Sequence, residues 1–184
     1  MKIAVFNKKG GVGKTSISYS IAKDLDYFLI SNDDSTIEIA YPNKAKIMNE
    51  PKLIDNCVYD FGGFVDLNIL KILNESDLVI VPLNYDLNSF KKTISTLEEI
   101  ENKNIIFVIN RVVKNDYLDI KKHLKSNYNY PIFEIKDSKI WVKTFIENKS
   151  VSEIKNSSKI NKYIYRNSIT EYENLLNLIK KKGN

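Results

Sequence analysis

The chain has 184 residues, 43% of them hydrophobic, and a formal net charge of +5. That length predicts one domain, residues 1–184, with a core large enough to need no staples. The single cysteine, Cys57, excludes an internal disulfide and a multi-cysteine metal site, and it fits a reducing, cytoplasmic setting.

Lys2–Phe6 (KIAVF) is short, apolar and rich in strand formers, which predicts a buried strand rather than a signal peptide. A glycine-rich turn follows, KKGGVGKTS at residues 8–16. Ile17, Ile21, Ala22 and Leu25 then recur at helical spacing and predict a helix over Ser16–Leu25. Tyr27–Ile30 reads as a second strand and Asn56–Tyr59 as a third, with Asp60 directly after it. Asn32–Asp55 has no clear pattern, and no fold is predicted for it.

Leu78–Leu83 (LVIVPL) and Ile105–Ile109 (IIFVI) are the clearest strands, with helices around Leu67–Asn74 and Ser89–Glu101. Beyond Asn110 come a helix near Tyr117–Ser126, a strand at Pro131–Ile135 and a helix near Lys139–Glu147. A long amphipathic helix over Lys159–Lys182 closes the chain, its stripe formed by Ile164, Ile169, Tyr172, Leu175, Leu176 and Ile179. Continuous apolar strands alternating with helices predict an α/β fold: one doubly wound, mostly parallel sheet with helices on both faces. No run of about 18 apolar residues marks a membrane-spanning helix.

Charge is unevenly placed. Residues 1–110 hold 12 Lys+Arg and 15 Asp+Glu, whereas residues 111–184 hold 16 and 8. A basic C-terminal segment can meet nucleic acid or an anionic membrane surface. It can equally be a solvated lysine face on outer helices.

Strand, glycine loop and helix stand in the order that phosphate binding requires. Gly10, Gly11 and Gly13 let the backbone bring its N–H groups close to phosphate oxygens. The helix that follows adds partial positive charge at its N-terminus. Lys14 can reach the β- and γ-phosphates, and the Thr15 hydroxyl can ligate Mg²⁺. Phosphoryl chemistry also needs carboxylates near metal and water. Two sit directly after buried strands, at the sheet edge where ligands bind: Asp60, and either Asp33 or Asp34.

The run Phe6-Asn7-Lys8-Lys9-Gly10-Gly11-Val12-Gly13-Lys14-Thr15 closely resembles the deviant phosphate loop of ParA/MinD ATPases, K-G-G-x-G-K-[ST]. Looser matches follow at Asp60-Phe61-Gly62-Gly63, Asp77–Pro82, Val108-Ile109-Asn110-Arg111 and Pro131-Ile132-Phe133. The resemblance implies ATP and Mg²⁺ as cofactors and a face-to-face, ATP-dependent homodimer. Lys9 would be the signature lysine, reaching across to the partner's phosphates as an arginine finger does. Lys8 stands where the family often has glutamine, a position with no assigned task, and is expected to face solvent or DNA.

By the same resemblance, nucleotide contacts fall on Lys9, Gly10, Gly11, Val12, Gly13, Lys14, Thr15 and Ser16. Asp60 would hold Mg²⁺ through water together with Thr15, and Asp33 would position the attacking water. Lys9, Lys14 and Asp33 are the catalytic candidates. Asn110 falls where the family contacts adenine, with Pro131 or its neighbours flanking the base, and Arg111 is counted among the nucleotide contacts. The family's D-x-D-P-Q is reduced here to Ser31-Asn32-Asp33-Asp34-Ser35, which keeps only the second aspartate in register. That departure bears on hydrolysis rather than on binding.

The resemblance is strongest to small plasmid-partition ATPases, which lack an N-terminal DNA-binding domain and rely on a centromere-binding partner protein. It implies non-specific DNA binding through the basic half, a nucleoid-associated location and partner-stimulated hydrolysis. A second reading is a MinD-type ATPase on a membrane surface. Its anchor would be Leu175, Leu176, Leu178 and Ile179, followed by Lys180-Lys181-Lys182.

Overall fold

A computed structural model describes residues 1–64 and 66–183. Its elements run β1 (Lys2–Val5), α1 (Lys14–Leu25), β2 (Phe28–Ser31), α2 (Ile37–Ala40), β3 (Ala45–Ile47), β4 (Cys57–Asp60), α3 (Leu67–Glu75) and β5 (Leu78–Asn84). They continue with α4 (Leu87–Leu97), β6 (Ile105–Val112), α5 (Leu118–Asn127), β7 (Ile132–Lys136), α6 (Ile140–Ile146), α7 (Val151–Ser157), α8 (Lys159–Ile164) and α9 (Arg166–Gly183).

The strands form one sheet in the order β3-β2-β4-β1-β5-β6-β7, and every pairing is parallel. Alternation along the strands explains how both faces are buried. Ile3 and Val5 of β1 join one core layer with Ile17, Ile21, Tyr172 and Leu175. Ala4 and Phe6 join the other, with Ile69, Ile72 and Leu124. β1 lies between β4 and β5, and the chain leaves it on one side and later crosses to the other. The carboxyl end of β1 is therefore the switch point where an open α/β sheet forms its crevice, and the glycine loop begins there.

The unpatterned segment 32–55 holds α2 and the edge strand β3. β3 is three residues long with Lys46 at its centre, too short for a periodic signal. Its outer edge is covered: the Ile47 N–H donates to the Glu38 carboxylate and the Ala45 N–H to the Tyr41 carbonyl.

The long C-terminal helix predicted over 159–182 is two helices, and a further one, α7, precedes it. Tyr165, at φ −100° and ψ 13°, interrupts the run, and Ser158 caps the start of α8 by accepting from the Asn161 N–H. Ile164, assigned to the buried stripe, is 61% exposed, whereas Ile169, Tyr172, Leu175, Leu176 and Ile179 are buried as predicted. α7 opens on a capping box, Ser150 with Glu153, a start signal present in the sequence. No helix among the described residues is long and apolar enough to cross a membrane.

Candidate functional site

β1 delivers the chain to Asn7, whose side chain is fully buried and fully used. Its Oδ1 accepts from the Lys9 N–H at 2.9 Å, and its Nδ2 donates to the Pro82 carbonyl and to Thr93 Oγ1, both at 2.8 Å. After the turn, Lys14 opens α1 and folds its ammonium back onto the loop. Lys14 Nζ donates to the carbonyls of Asn7 and Lys9, each at 3.1 Å. Burial pulls this lysine below its ordinary range, and the charges of Asp60 and Asp33 work against that shift.

Gly11 and Gly13 occupy the left-handed region, at φ 74° and 90°. Gly13 has a second reason to lack a side chain: a Cβ there would stand 2.2 Å from Asn110 Nδ2. That amide donates to the Val12 carbonyl at 2.9 Å, so β6 braces the second half of the loop. On the far side, a Cβ on Gly63 would stand 2.5 Å from the Lys8 carbonyl, which fixes how closely the β4–α3 segment packs on the loop.

Asp60 ends β4 and is 1% exposed. Desolvation pushes its carboxyl up to about 6, against the pull of the Thr15 and Ser18 hydroxyls and the Lys14 ammonium. The Ser18 hydroxyl lies 3.2 Å from Asp60 Oδ1 and 2.9 Å from the Lys14 carbonyl. One buried carboxylate beside two hydroxyls suits Mg²⁺, which takes one or two carboxylates and completes its shell with water and phosphate oxygens. No group of three or more His, Cys, Asp or Glu placed to hold a metal ion occurs among the described residues.

Of the two neighbouring aspartates, Asp33 lies on the loop side. Its carboxylate rests against Gly62, and its charge acts on both Lys14 and Asp60. A tight turn sets this position: the Asp33 N–H donates to Ser31 Oγ at 3.1 Å, and Asn32 Oδ1 accepts from the Gly62 N–H at 2.7 Å. Both aspartates are exposed, but among the described residues only Asp33 has this coupling to the loop.

Beside the loop is a cleft of about 240 Å³ lined by Gly13, Ser16, Asn110, Arg111, Asp137, Ser138, Trp141 and Val142. Arg111 sits on a bulge of β6 at φ 56°. Two buried polar atoms of lining residues, Asn110 Oδ1 and Trp141 Nε1, have no hydrogen-bond partner among the described residues.

Pro131 is not part of this edge, and its assignment beside the base is corrected. Asn110 is level with Ile135 on β7, and Pro131 lies four residues earlier. At about 3.3 Å per residue that is roughly 13 Å towards the opposite end of the sheet. Residues Asp137–Val142, beyond the carboxyl end of β7, occupy the place expected for it.

The two lysines before the glycines differ. Lys8 was expected to face solvent or DNA. Instead its N–H donates to Thr96 Oγ1 at 3.1 Å, and its ammonium reaches Ser95 Oγ at 3.3 Å and pairs with Glu99. Among the described residues, the Lys9 ammonium makes no hydrogen bond or ion pair while its backbone is held at both N–H and C=O. The sequence reading missed Asn7, Ser18, Thr93 and Thr96. No phosphate-loop pattern specifies them, because each acts through tertiary contact.

Residues 3–151 match the CobQ/CobB/MinD/ParA nucleotide binding domain. The chain belongs to this family. Among solved structures, it is similar to the ATP complex of a variant of Cyanothece McdA, at 12% identity over 97% of this chain and 96% of that one, with a TM-score of 0.73. It is also similar to the putative plasmid partition protein of Borrelia burgdorferi B31 bound to AMPPNP, at 17% identity, 98% of each chain and a TM-score of 0.68. The septum site-determining protein MinD of Pyrococcus horikoshii with Mg-ADP gives 12% identity, 98% of each chain and 0.69. At these identities the likeness shows the fold. No curated protein matches the chain in sequence. The family is one of nucleotide-binding domains, and in this chain the Lys14–Asp60 edge with the adjoining cleft is the candidate site.

Proposed function

We propose that the chain is a ParA-type ATPase that binds Mg-ATP, dimerises face to face and acts in DNA partition with partner-stimulated hydrolysis. The observation that carries this reading is the division of labour between two lysines. Lys14 is buried in its own loop beside Asp60 and Asp33, while Lys9, held only by its backbone, keeps a free ammonium among the described residues. A cation without an internal partner, at the mouth of a phosphate loop, suits charge neutralisation in a second copy. Thr15 and Asp60 would hold Mg²⁺, which supplies charge neutralisation at the phosphates. Asp33 would orient water, and Asn110 Oδ1 would accept from the base.

The solved neighbours include both a partition protein and MinD. What favours partition is the fate of the apolar residues that a membrane anchor would need. Leu175, Leu176 and Ile179 are buried against the sheet, and Leu178 packs on the same cluster. Of the basic residues on α7, α8 and α9 that would contact DNA, Lys155 is engaged by Glu173 and Lys182 by Asn104. Lys159, Lys162, Arg166, Lys180 and Lys181 make no ion pair among the described residues. Binding through them falls steeply with salt, by about 0.9 log unit per phosphate contact for each log unit of salt.

The test is sedimentation of the native chain and of Lys9→Ala with ATP or ADP, with and without random duplex DNA. The native chain is expected to dimerise and to hold DNA only with ATP. The variant is expected to bind nucleotide but to lose dimerisation and stimulated hydrolysis. A Lys9→Ala chain that dimerises like the native one would refute the crossing lysine, and absence of DNA binding at low salt with ATP would refute partition.

A further inference from the structure

α4 buries an unexpected face. Its fully buried side chains are Ser89, Thr93 and Thr96, which recur at i, i+4 and i+7 and so share one side of the helix. Each threonine hydroxyl donates to a carbonyl four residues back in its own helix, Thr93 to Ser89 at 2.9 Å and Thr96 to Lys92 at 2.8 Å. A hydroxyl has one proton, so what each threonine offers its neighbours is an acceptor. Thr93 Oγ1 accepts from Asn7 Nδ2 at 2.8 Å, and Thr96 Oγ1 accepts from the Lys8 N–H at 3.1 Å. Lys8 extends the seam through its side chain to Ser95 and Glu99.

These contacts all fall on the two residues before Lys9, and Asn7 passes them on by accepting from the Lys9 N–H, a side-chain turn that sets local backbone direction. The other half of the loop is held from a different element, by Asn110 of β6 at the Val12 carbonyl. Besides the Lys14 ammonium at the Asn7 and Lys9 carbonyls, the loop thus has two side-chain anchors from other elements, α4 on the Lys9 side and β6 at the glycine cradle.

We propose that the polar face of α4 is the positioning element for Lys9, with Thr93 and Thr96 as positioning residues that act through Asn7 and Lys8. The proposal rests on the reading of Lys9 as the residue that crosses to a second copy. A charge used at a distance must be placed to within about half an ångström by its supporting shell. A small-polar helix face built of self-capped threonines supplies acceptors that do not rotate away. It assigns Lys8 a task as well: it is a tether, not a surface charge.

The experiment compares Thr93→Val, which keeps shape and removes the acceptor, with Thr93→Ser, which keeps the acceptor. Affinity for a fluorescent ATP analogue and ATP-driven dimerisation by sedimentation are measured on the full chain, below each variant's unfolding transition. Thr93→Val is expected to weaken dimerisation about ten-fold or more, the scale of one lost hydrogen bond, with nucleotide affinity changed less than about three-fold. Thr93→Ser is expected to restore dimerisation. Should Thr93→Val fail to fold, Thr96→Val, which removes the acceptor for the Lys8 N–H along with the hydroxyl's bond to Lys92, carries the same comparison against Thr96→Ser. A variant that dimerises like the native chain overturns the proposal, as does a parallel fall in both affinities, which marks general loosening. A native chain that binds the analogue yet stays monomeric with ATP overturns instead the crossing reading, and the positioning role with it.

Discussion

The loop edge and the α9 seam are both excluded from water, yet they are buried by opposite means. α9 packs Ile169, Tyr172, Leu175, Leu176 and Ile179 into one apolar cluster with strand residues such as Val58 and Ile106. The loop edge buries Asn7, Lys14, Ser18, Asp60, Thr93 and Thr96, and it matches each to a donor, an acceptor or a charge. The seam gains from non-directional transfer of apolar area. The edge holds geometry, because an unmatched polar group there would be left with its desolvation penalty. A chain can exchange one Leu for another residue of similar shape in the first region with little consequence. In the second, each of these six side chains has a named partner.

The largest expected effect breaks the seam. Leu175→Ala removes a fully buried side chain and should lower unfolding free energy by about 2–5 kcal/mol in denaturant titration. It should leave nucleotide affinity unchanged while the protein remains folded. If affinity falls with stability, the two regions are not independent layers.

How far these regions were legible follows the same division. Parallel strands, the glycine loop, Lys14 and Asp60 were readable because continuous apolar runs and glycines signal locally. The α9 stripe was readable too, but periodicity alone merged it with α8, and only the turn at Tyr165 separates them. α4 misleads in another way. Its apolar residues, among them Phe90 and Leu97, pack at the flank while the hydroxyls take the centre, so hydrophobic spacing points away from the contacts that serve the loop. Pro131 failed for a reason already available. A parallel sheet puts the first residue of every strand at the edge away from the site, so the residues after β7 were the ones to name.

An intermediate effect reads the charged side of the comparison. Asp60 is pushed from 3.8 up to about 6 by burial, so the folded chain holds its proton more tightly than the unfolded chain does. Its contribution to stability is therefore fully present below the unfolded value and is lost as pH rises through about 6. For the chain without metal or nucleotide, lowering pH from about 7.5 to about 5 should stabilise the native protein by about 1 kcal/mol relative to Asp60→Asn. Equal pH dependence in the two would mean that Asp60 is hydrated, and the loop edge would lose its claim to be dry.

The smallest effect supplies the control, a charge pair on the outer surface of the seam. Lys155 Nζ and Glu173 Oε1 are 2.6 Å apart, but both side chains keep about a third of their exposure. Water and salt screen such a pair, so Glu173→Gln should change stability by less than about 1 kcal/mol. The contrast with Asp60 isolates burial as the cause, since both are acidic groups within reach of a lysine. A loss comparable to that of Leu175→Ala would mean that α9 is held by its charges as well as by its apolar stripe. The line drawn between the two regions would then run through α9 itself, between its inner and outer faces, rather than between α9 and the loop.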